Sequence, residues 1–188
     1  TMVAYTASRA RDLDAAGGSQ AISLWPATVQ NNRNNPELSY AGFDQPNRLI
    51  GNLSYQKGGT TIGIFYEGGN AGRFSYTYSG NFGDASNRLI YVPRNASEIN
   101  FESFSLGGNT ITTQMQEQML EAYISQDEYL NSIRGQVAER NGGVAPWYHR
   151  FDVRLLQEVN FTNLDKNKLQ LTFDFLNFGN LLNSNWGI

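Results

Sequence analysis

The residues that could act together chemically lie late in the chain. Asp152, Glu158 and Asp174 fall at positions of one parity in two neighbouring amphipathic stretches, and Arg154 shares that parity. Two carboxylates held in unlike environments can hydrolyse a glycoside, one as acid and the other as base or nucleophile. A simpler reading needs no reaction. The four residues read as a charge ladder on the wet face of a sheet, where charges are solvated or paired.

Other catalytic designs lack their parts. The chain has no cysteine and one histidine, His149, between Tyr148 and Arg150. A Cys–His pair and a two-histidine metal site are therefore excluded. No G-x-S-x-G, H-E-x-x-H, P-loop or G-x-G-x-x-G stretch occurs. The sequence predicts no catalytic residue, no metal ligand and no cofactor, and His149 reads as an interfacial side chain at the start of a strand. Of the loop aromatics, Trp25, Tyr40, Tyr91 and Trp147 could stack on a ligand such as a sugar face, or could pin long loops together.

The elements that must position these groups are strands. Residues alternate apolar and polar with period 2 over 2–9, 47–57, 60–78 (interrupted at Gly68-Gly69), 150–161 and 168–176. In the last two, Phe151, Val153, Leu155 and Val159 alternate with Asp152, Arg154, Leu156 and Glu158, and Leu169, Leu171 and Phe173 alternate with Gln170, Thr172 and Asp174. Gln157 is the polar exception on the apolar side.

The connections alternate too. About 37 residues separate the first two strands and roughly 70 the third and fourth, whereas Lys57-Gly58-Gly59 and 162–167 make short turns. Soluble domains rarely contain such loops, but outer-membrane barrels pair short periplasmic turns with long external loops. External loops are expected at 10–46 and 79–149. The second should contain short helices: Thr113-Gln114-Met115-Gln116 is a capping-box pattern with Met115, Met119, Leu120, Tyr123 and Ile124 at helical spacing behind it, and Ser125-Gln126-Asp127-Glu128 repeats it ahead of Gly135. Tyr76, Tyr78, Trp147, Tyr148 and Phe151 stand where an interfacial aromatic girdle would lie.

Composition agrees with a wet-lined barrel wall. Charged residues make up 16% and the net charge is −3, which offers nucleic acid no basic surface. Mean hydropathy is −0.45, as a transmembrane barrel allows because only alternate residues meet lipid. No run of about 18 apolar residues is present, so a spanning helix is not expected. Five strands cannot close a barrel, and Trp186-Gly187-Ile188 reads as the start of another loop. The expected fold is all-β: a segment of an antiparallel transmembrane barrel, with further strands on both sides.

Several blocks resemble one family. Asp44-Gln45-Pro46-Asn47-Arg48, Phe65-Tyr66-Glu67-Gly68, Phe74-Ser75-Tyr76-Thr77-Tyr78 and Leu89-Ile90-Tyr91-Val92-Pro93 are among them. So are Ala138-Glu139-Arg140-Asn141-Gly142 followed by Ala145-Pro146-Trp147, then Phe151-Asp152-Val153-Arg154, and the terminal stretch from Leu176-Asn177-Phe178-Gly179-Asn180 to Gly187. Together they are similar to the C-terminal barrel region of Bacteroidetes TonB-dependent receptors of the Oar-like type. The sequence departs from that pattern at Arg88, where an acidic residue is common, and at the shorter, less acidic Gly80-Asn81-Phe82-Gly83-Asp84.

The resemblance implies a barrel of about 22 strands, an N-terminal plug, energised import through TonB, and the outer membrane of a Gram-negative bacterium. No plug domain is present in these 188 residues. Implied partners are the rest of the barrel and its plug, TonB through the N-terminal part, outer-membrane lipid and a surface lipoprotein. Glu67, Asp152, Arg154, Glu158, Asp174, Trp25, Tyr91 and Trp147 would face substrate or plug. The competing reading is a soluble all-β module that binds carbohydrate or another ligand and buries the same apolar face as a core.

Overall fold

The computed structural model describes residues 1–13, 18–78, 88–160 and 168–183. Five strands form one antiparallel sheet in chain order: β1 (Met2–Ala7), β2 (Asn47–Lys57), β3 (Thr60–Asn70), β4 (Trp147–Asn160) and β5 (Lys168–Phe175). Each strand pairs with the strands before and after it in this order, across long connections as well as short ones. Among the described residues the sheet stays open, with β1 and β5 as its edges.

Register aligns the period-2 pattern of all five strands. Val3, Gly51, Tyr66 and Phe151 form one cross-strand row; Leu53, Ile64, Val153 and Phe175 form the next; Tyr55, Ile62, Leu155 and Phe173 form a third. One residue along, the rows are Ser54, Gly63, Arg154 and Asp174, then Gln56, Thr61, Leu156 and Thr172. Because a one-residue slip would turn every side chain over, the apolar pattern itself fixes this pairing.

The strand ends differ from the sequence expectation, each for a local reason. β1 stops at Ala7 instead of 9, because Ser8 next donates to the carbonyl of Pro46 (3.1 Å), a residue with no N–H to continue the ladder. β3 runs unbroken through Gly68 and Gly69 to Asn70, and does not continue to 78. Gly72, at φ 131°, redirects the chain, and Arg73–Phe74 pairs instead with Gly143–Val144. β4 begins at Trp147, three residues early, because Trp147, Tyr148 and His149 still have Asn70, Gly69 and Gly68 to pair with. β5 ends at Phe175, followed by Asn177 at φ 52°. The Lys57–Thr60 turn is as tight as expected, with Gly58 at φ 59°, where a side chain would be strained. The expected turn at 162–167 lies outside the described residues. In the antiparallel register Ala7, Asn47, Asn70 and Trp147 lie at one end of the sheet and the Gly58-Gly59 turn at the other.

The long connections are not irregular loops. Ala10–Asp44 and Arg73–Val144 form a second compact unit. Its helices are α1 (Ala21–Ala27), α2 (Thr113–Gln126) and α3 (Glu128–Ser132). A hairpin joins Phe104–Leu106 to Asn109–Ile111, and two-residue ladders pair Arg11–Asp12 with Ser39–Tyr40 and Tyr91–Val92 with Gln136–Val137. The core is Val92, Ile124 and Leu130, packed by Tyr76, Ile90, Leu120, Tyr129 and Ile133.

The helix starts are shifted from the expected ones. Thr112, not Thr113, caps α2 by accepting from the Met115 N–H at 3.2 Å. Asp127, not Ser125, caps α3 by accepting from the Leu130 N–H at 2.8 Å. The α2 stripe is also split: Leu120 and Ile124 face the core, whereas Met115, Met119 and Tyr123 are exposed. After β5 comes the short helix α4 (Phe178–Leu182). Among the described residues no helix is long and apolar enough to cross a membrane, which says nothing about strands.

Candidate functional site

The polar face of the sheet gathers the carboxylates that the sequence singled out, each beside a cation. Arg154 and Asp174 are direct cross-strand partners and meet through two hydrogen bonds, at 2.6 and 2.9 Å. Arg150 grips Asp152, two residues on along β4, at 3.1 and 2.7 Å. Arg48 of β2 reaches Glu67 of β3 at 2.7 Å, and the Tyr148 hydroxyl donates to the same oxygen at 3.2 Å. Lys168 lies 3.7 Å from Glu158.

These pairs set four cations against four carboxylates, so the face is polar yet electrically balanced. Asp152 and Asp174, each gripped through two hydrogen bonds by an arginine, differ from the acid that a glycosidase would use. A general acid needs a carboxyl group kept protonated, whereas a bidentate guanidinium holds its partner ionised. Asp152 additionally accepts from the Asn177 N–H at 2.8 Å, which ties the chain leaving β5 to β4.

The opposite face is apolar and uncovered. Val3 is 73% exposed, Tyr55 63%, Leu53 50% and Phe173 54%, with Ile62, Ile64, Phe151, Leu155, Val159, Leu169, Leu171 and Phe175 also exposed. At the end where the long connections leave, this face turns aromatic. The Tyr66 and Phe151 rings lie 4.8 Å apart, and the Tyr66 hydroxyl meets His149 Nδ1 at 2.9 Å. Trp147 stands beside His149, with ring centroids 6.3 Å apart. Gly68 makes room for them, because a Cβ there would overlap the Tyr66 hydroxyl and come within 2.8 Å of Trp147 Nε1. At the other end, Gln157 is satisfied: Thr60 Oγ1 donates to its Oε1 at 2.6 Å, and its Nε2 donates to the Glu158 carbonyl at 2.8 Å.

The second unit is organised by buried ions. Asp44, 1% exposed, accepts from the Ala10 N–H at 2.7 Å and pairs with Arg73 Nε at 2.5 Å. Arg73 also stacks on the Tyr40 ring, 3.6 Å from its centroid, with Arg11 at 4.7 Å. Arg140, 2% exposed, donates through Nη2 to Asp12 Oδ1 at 2.5 Å; its Nε and Nη1 are buried with no hydrogen-bond partner among the described residues. Asn141, at φ 55°, links Ser75 and the Tyr40 carbonyl. Within the core, burial and then the Asp127 carboxylate raise the Tyr76 hydroxyl above the ordinary tyrosine range.

The eight residues singled out by the sequence therefore fall into three places. Glu67, Asp152, Arg154, Glu158 and Asp174 share the polar face. Trp147 belongs to the apolar face, so it does not join them; β4 starts early enough to place it there. Trp25 and Tyr91 lie in the second unit, where Tyr91 is engaged, its hydroxyl donating to Glu98 at 3.0 Å, while Trp25 is 48% exposed. The expected aromatic girdle is corrected in the same way: Tyr76 and Tyr78 belong to the second unit and Tyr148 to the polar face.

Sequence reasoning passed over Arg48, Arg150 and Lys168, although all three share the parity of the residues it chose. It also gave no role to Asp44 and Arg140, whose partners are far away in sequence. The 80–84 stretch and the terminal residues 184–188 lie outside the described residues. Among the described residues no cluster of three or more histidine or acidic side chains is placed to hold a metal. In comparisons with known proteins, no family model, no curated protein and no solved structure matches the chain.

Proposed function

We propose that this chain is part of the wall and substrate-facing loops of an outer-membrane β-barrel transporter of the TonB-dependent receptor kind. The observation that carries the reading is the two-sidedness of the sheet. All five strands contribute to one continuous, exposed apolar face, and their other face is polar with its charges matched. In lipid the first face would lie in hydrocarbon and the second would line a wet interior.

Dimensions agree. An 11-residue strand such as β2 or β3 is about 37 Å long, and tilted by about 40° it spans roughly 28 Å, against an apolar band of about 25 Å. Tyr66, Trp147 and His149 cluster at one end of that band, where amphipathic rings favour the membrane–water interface. The open edges β1 and β5 call for further strands, because unpaired backbone in hydrocarbon is costly. In this reading the polar face meets the plug or passing substrate, the second unit is the external part, and TonB, lipid and a surface lipoprotein are the partners. The protein acts by passage and binding, not by catalysis.

A soluble binding module would have to cover the apolar face, and the exposure of Val3, Leu53, Tyr55 and Phe173 weighs against it. Fractionation of cells expressing the complete polypeptide tests the proposal. It should appear in the outer membrane, need detergent for extraction and migrate differently on gels before and after boiling. Recovery as a detergent-free soluble monomer would overturn it.

A further inference from the structure

The polar face of the sheet carries a recess of about 470 Å³. Its floor is Gly63, in the middle of β3. Asn52, Ser54, Thr61 and Phe65 border it, and the Arg154–Asp174 pair lies on the side away from Ser54. Its volume falls within the range of small-molecule sites.

Gly63 has no local reason to be a glycine. It keeps Ser54 and Arg154 as partners in unbroken register, so the strand is regular and carries no bulge there. A Cβ at Gly63 would meet the Arg154 Cβ at an ordinary 3.7 Å. Gly59 and Gly69 differ, because a Cβ at either would fall 2.6 or 2.7 Å from a backbone carbonyl oxygen. Glycine weakens the interior of a strand. Where neither a bulge nor packing demands it, its remaining use is to let another molecule approach the backbone closely.

We infer that this recess binds a neutral oligosaccharide. The charged groups in it are already engaged: Arg154 with Asp174, and Asp152 with Arg150 and the Asn177 N–H. A charged solute would have to take one member of a pair and leave the other behind. A neutral one can use a pair as donor and acceptor together. Asn52, Ser54 and Thr61 add a carboxamide and two hydroxyls, which donate and accept as sugar hydroxyls do. Phe65, half-buried between its cross-strand partners Asn52 and Asp152, offers a flat apolar face to a sugar ring. A polypeptide strand fits less well, because the backbone N–H and C=O groups of β3 are spent on its ladders with β2 and β4.

The inference rests on the transport reading for its biological sense, since that reading turns this face to a wet interior; binding itself can be measured either way. The test is isothermal titration calorimetry of the complete polypeptide in micelles of lauryldimethylamine oxide, a detergent without sugar. Maltotriose, cellotriose and mannotriose are the probes. At least one should bind saturably, with trigalacturonate and triglycine at least about tenfold weaker. Gly63→Val fills the floor with a strand-favouring residue, so it should weaken binding about tenfold or more while the denaturation midpoint holds or rises. Phe65→Ala should weaken binding about tenfold, and Gln170→Ala, on the same face but outside the recess, should leave it unchanged. No saturation with any of the three sugars, equal binding of trigalacturonate or triglycine, or binding indifferent to Gly63→Val and Phe65→Ala would each overturn the assignment. A loss of stability in Gly63→Val with no sugar bound would overturn it too, and would mark the recess as the seat of a plug segment. A polypeptide that binds a trisaccharide but stays out of membranes would retain this site and lose the transport reading; one found in the outer membrane that binds none would do the reverse.

Discussion

Arg154 and Asp174 stand directly opposite each other on β4 and β5, joined by two hydrogen bonds at 2.6 and 2.9 Å, while their sequence neighbours Val153 and Phe175 form the matching pair on the other face. One step along each strand thus separates an ion pair from an apolar contact. Both groups are open to solvent (62% and 42% exposed), so their attraction is weak and screened. Their value lies in excluding wrong partners. Arg154→Asp alone would set two carboxylates face to face and should lower the yield of folded protein, whereas Arg154→Asp with Asp174→Arg should restore it. Refolding yields of the three proteins at low and high salt check this, and the defect should shrink as salt rises.

Asp44 is buried in the second unit with Arg73 and the Ala10 N–H as partners. Asp44→Ala would strand Arg73, whose side chain is 8% exposed, and orphan the Ala10 N–H. Losing one partner of a buried pair costs about 3–5 kcal/mol. Hydrogen exchange should show Ala10–Asp44 and Arg73–Val144 losing protection while the strands keep theirs. Arg94→Ala, which breaks a 3.9 Å pair whose arginine is 75% exposed, should change stability by less than about 1 kcal/mol.

Gly68 should tolerate no side chain. Gly68→Ala would push against the Tyr66 hydroxyl and Trp147 Nε1, and overpacking of this kind costs about 1–3 kcal/mol. Gly51, in the same sheet, would bring its Cβ no closer than 3.6 Å to Tyr66, so Gly51→Ala should be far milder. Chemical denaturation of the two variants, with Trp147 emission as reporter, separates them.

What the sequence made legible follows from the range of the forces involved. Alternation is a local signal, so the five strands, their faces and the shared parity of Glu67, Asp152, Arg154, Glu158 and Asp174 could be read directly. Strand ends could not, because they depend on a partner. Trp147 is a strand residue only because Asn70 pairs with it, and Gly68-Gly69, which looks like a break, is held by strands on both sides. The buried ions were the least legible. Asp44 and Arg73 are 29 residues apart, and Asp12 and Arg140 are 128 apart. Asp44 and Arg140 both lie in the blocks that suggested a family, where the reading carried over a likeness but no contact. The helix caps were missed by one or two residues, because Thr112 and Thr113, like Ser125 and Asp127, are both competent acceptors.

The core of the second unit should respond to alkali. The Tyr76 hydroxyl is raised first by burial and then by its hydrogen bond to Asp127. A group that holds its proton more tightly when folded stabilises the fold below its unfolded value, here about 10, and loses that contribution as pH rises beyond it. Melting temperatures above pH 10 should therefore fall, and Tyr76→Phe should flatten the decline. At the acid side the sign reverses for Glu121, lowered by Arg134: its contribution is present above the ordinary carboxylate range and is lost as pH falls through it.

Which face of the sheet meets hydrocarbon is the decisive question for a barrel wall. Val153→Arg and Thr172→Arg place the same charge on opposite faces of adjacent strands, and folding of the complete barrel into lipid vesicles across a denaturant series compares them. Val153→Arg should cost about 2–4 kcal/mol if the position lies near the bilayer midplane, and Thr172→Arg should fold like the parent. Equal cost at the two positions, or the larger cost at Thr172, would contradict the account.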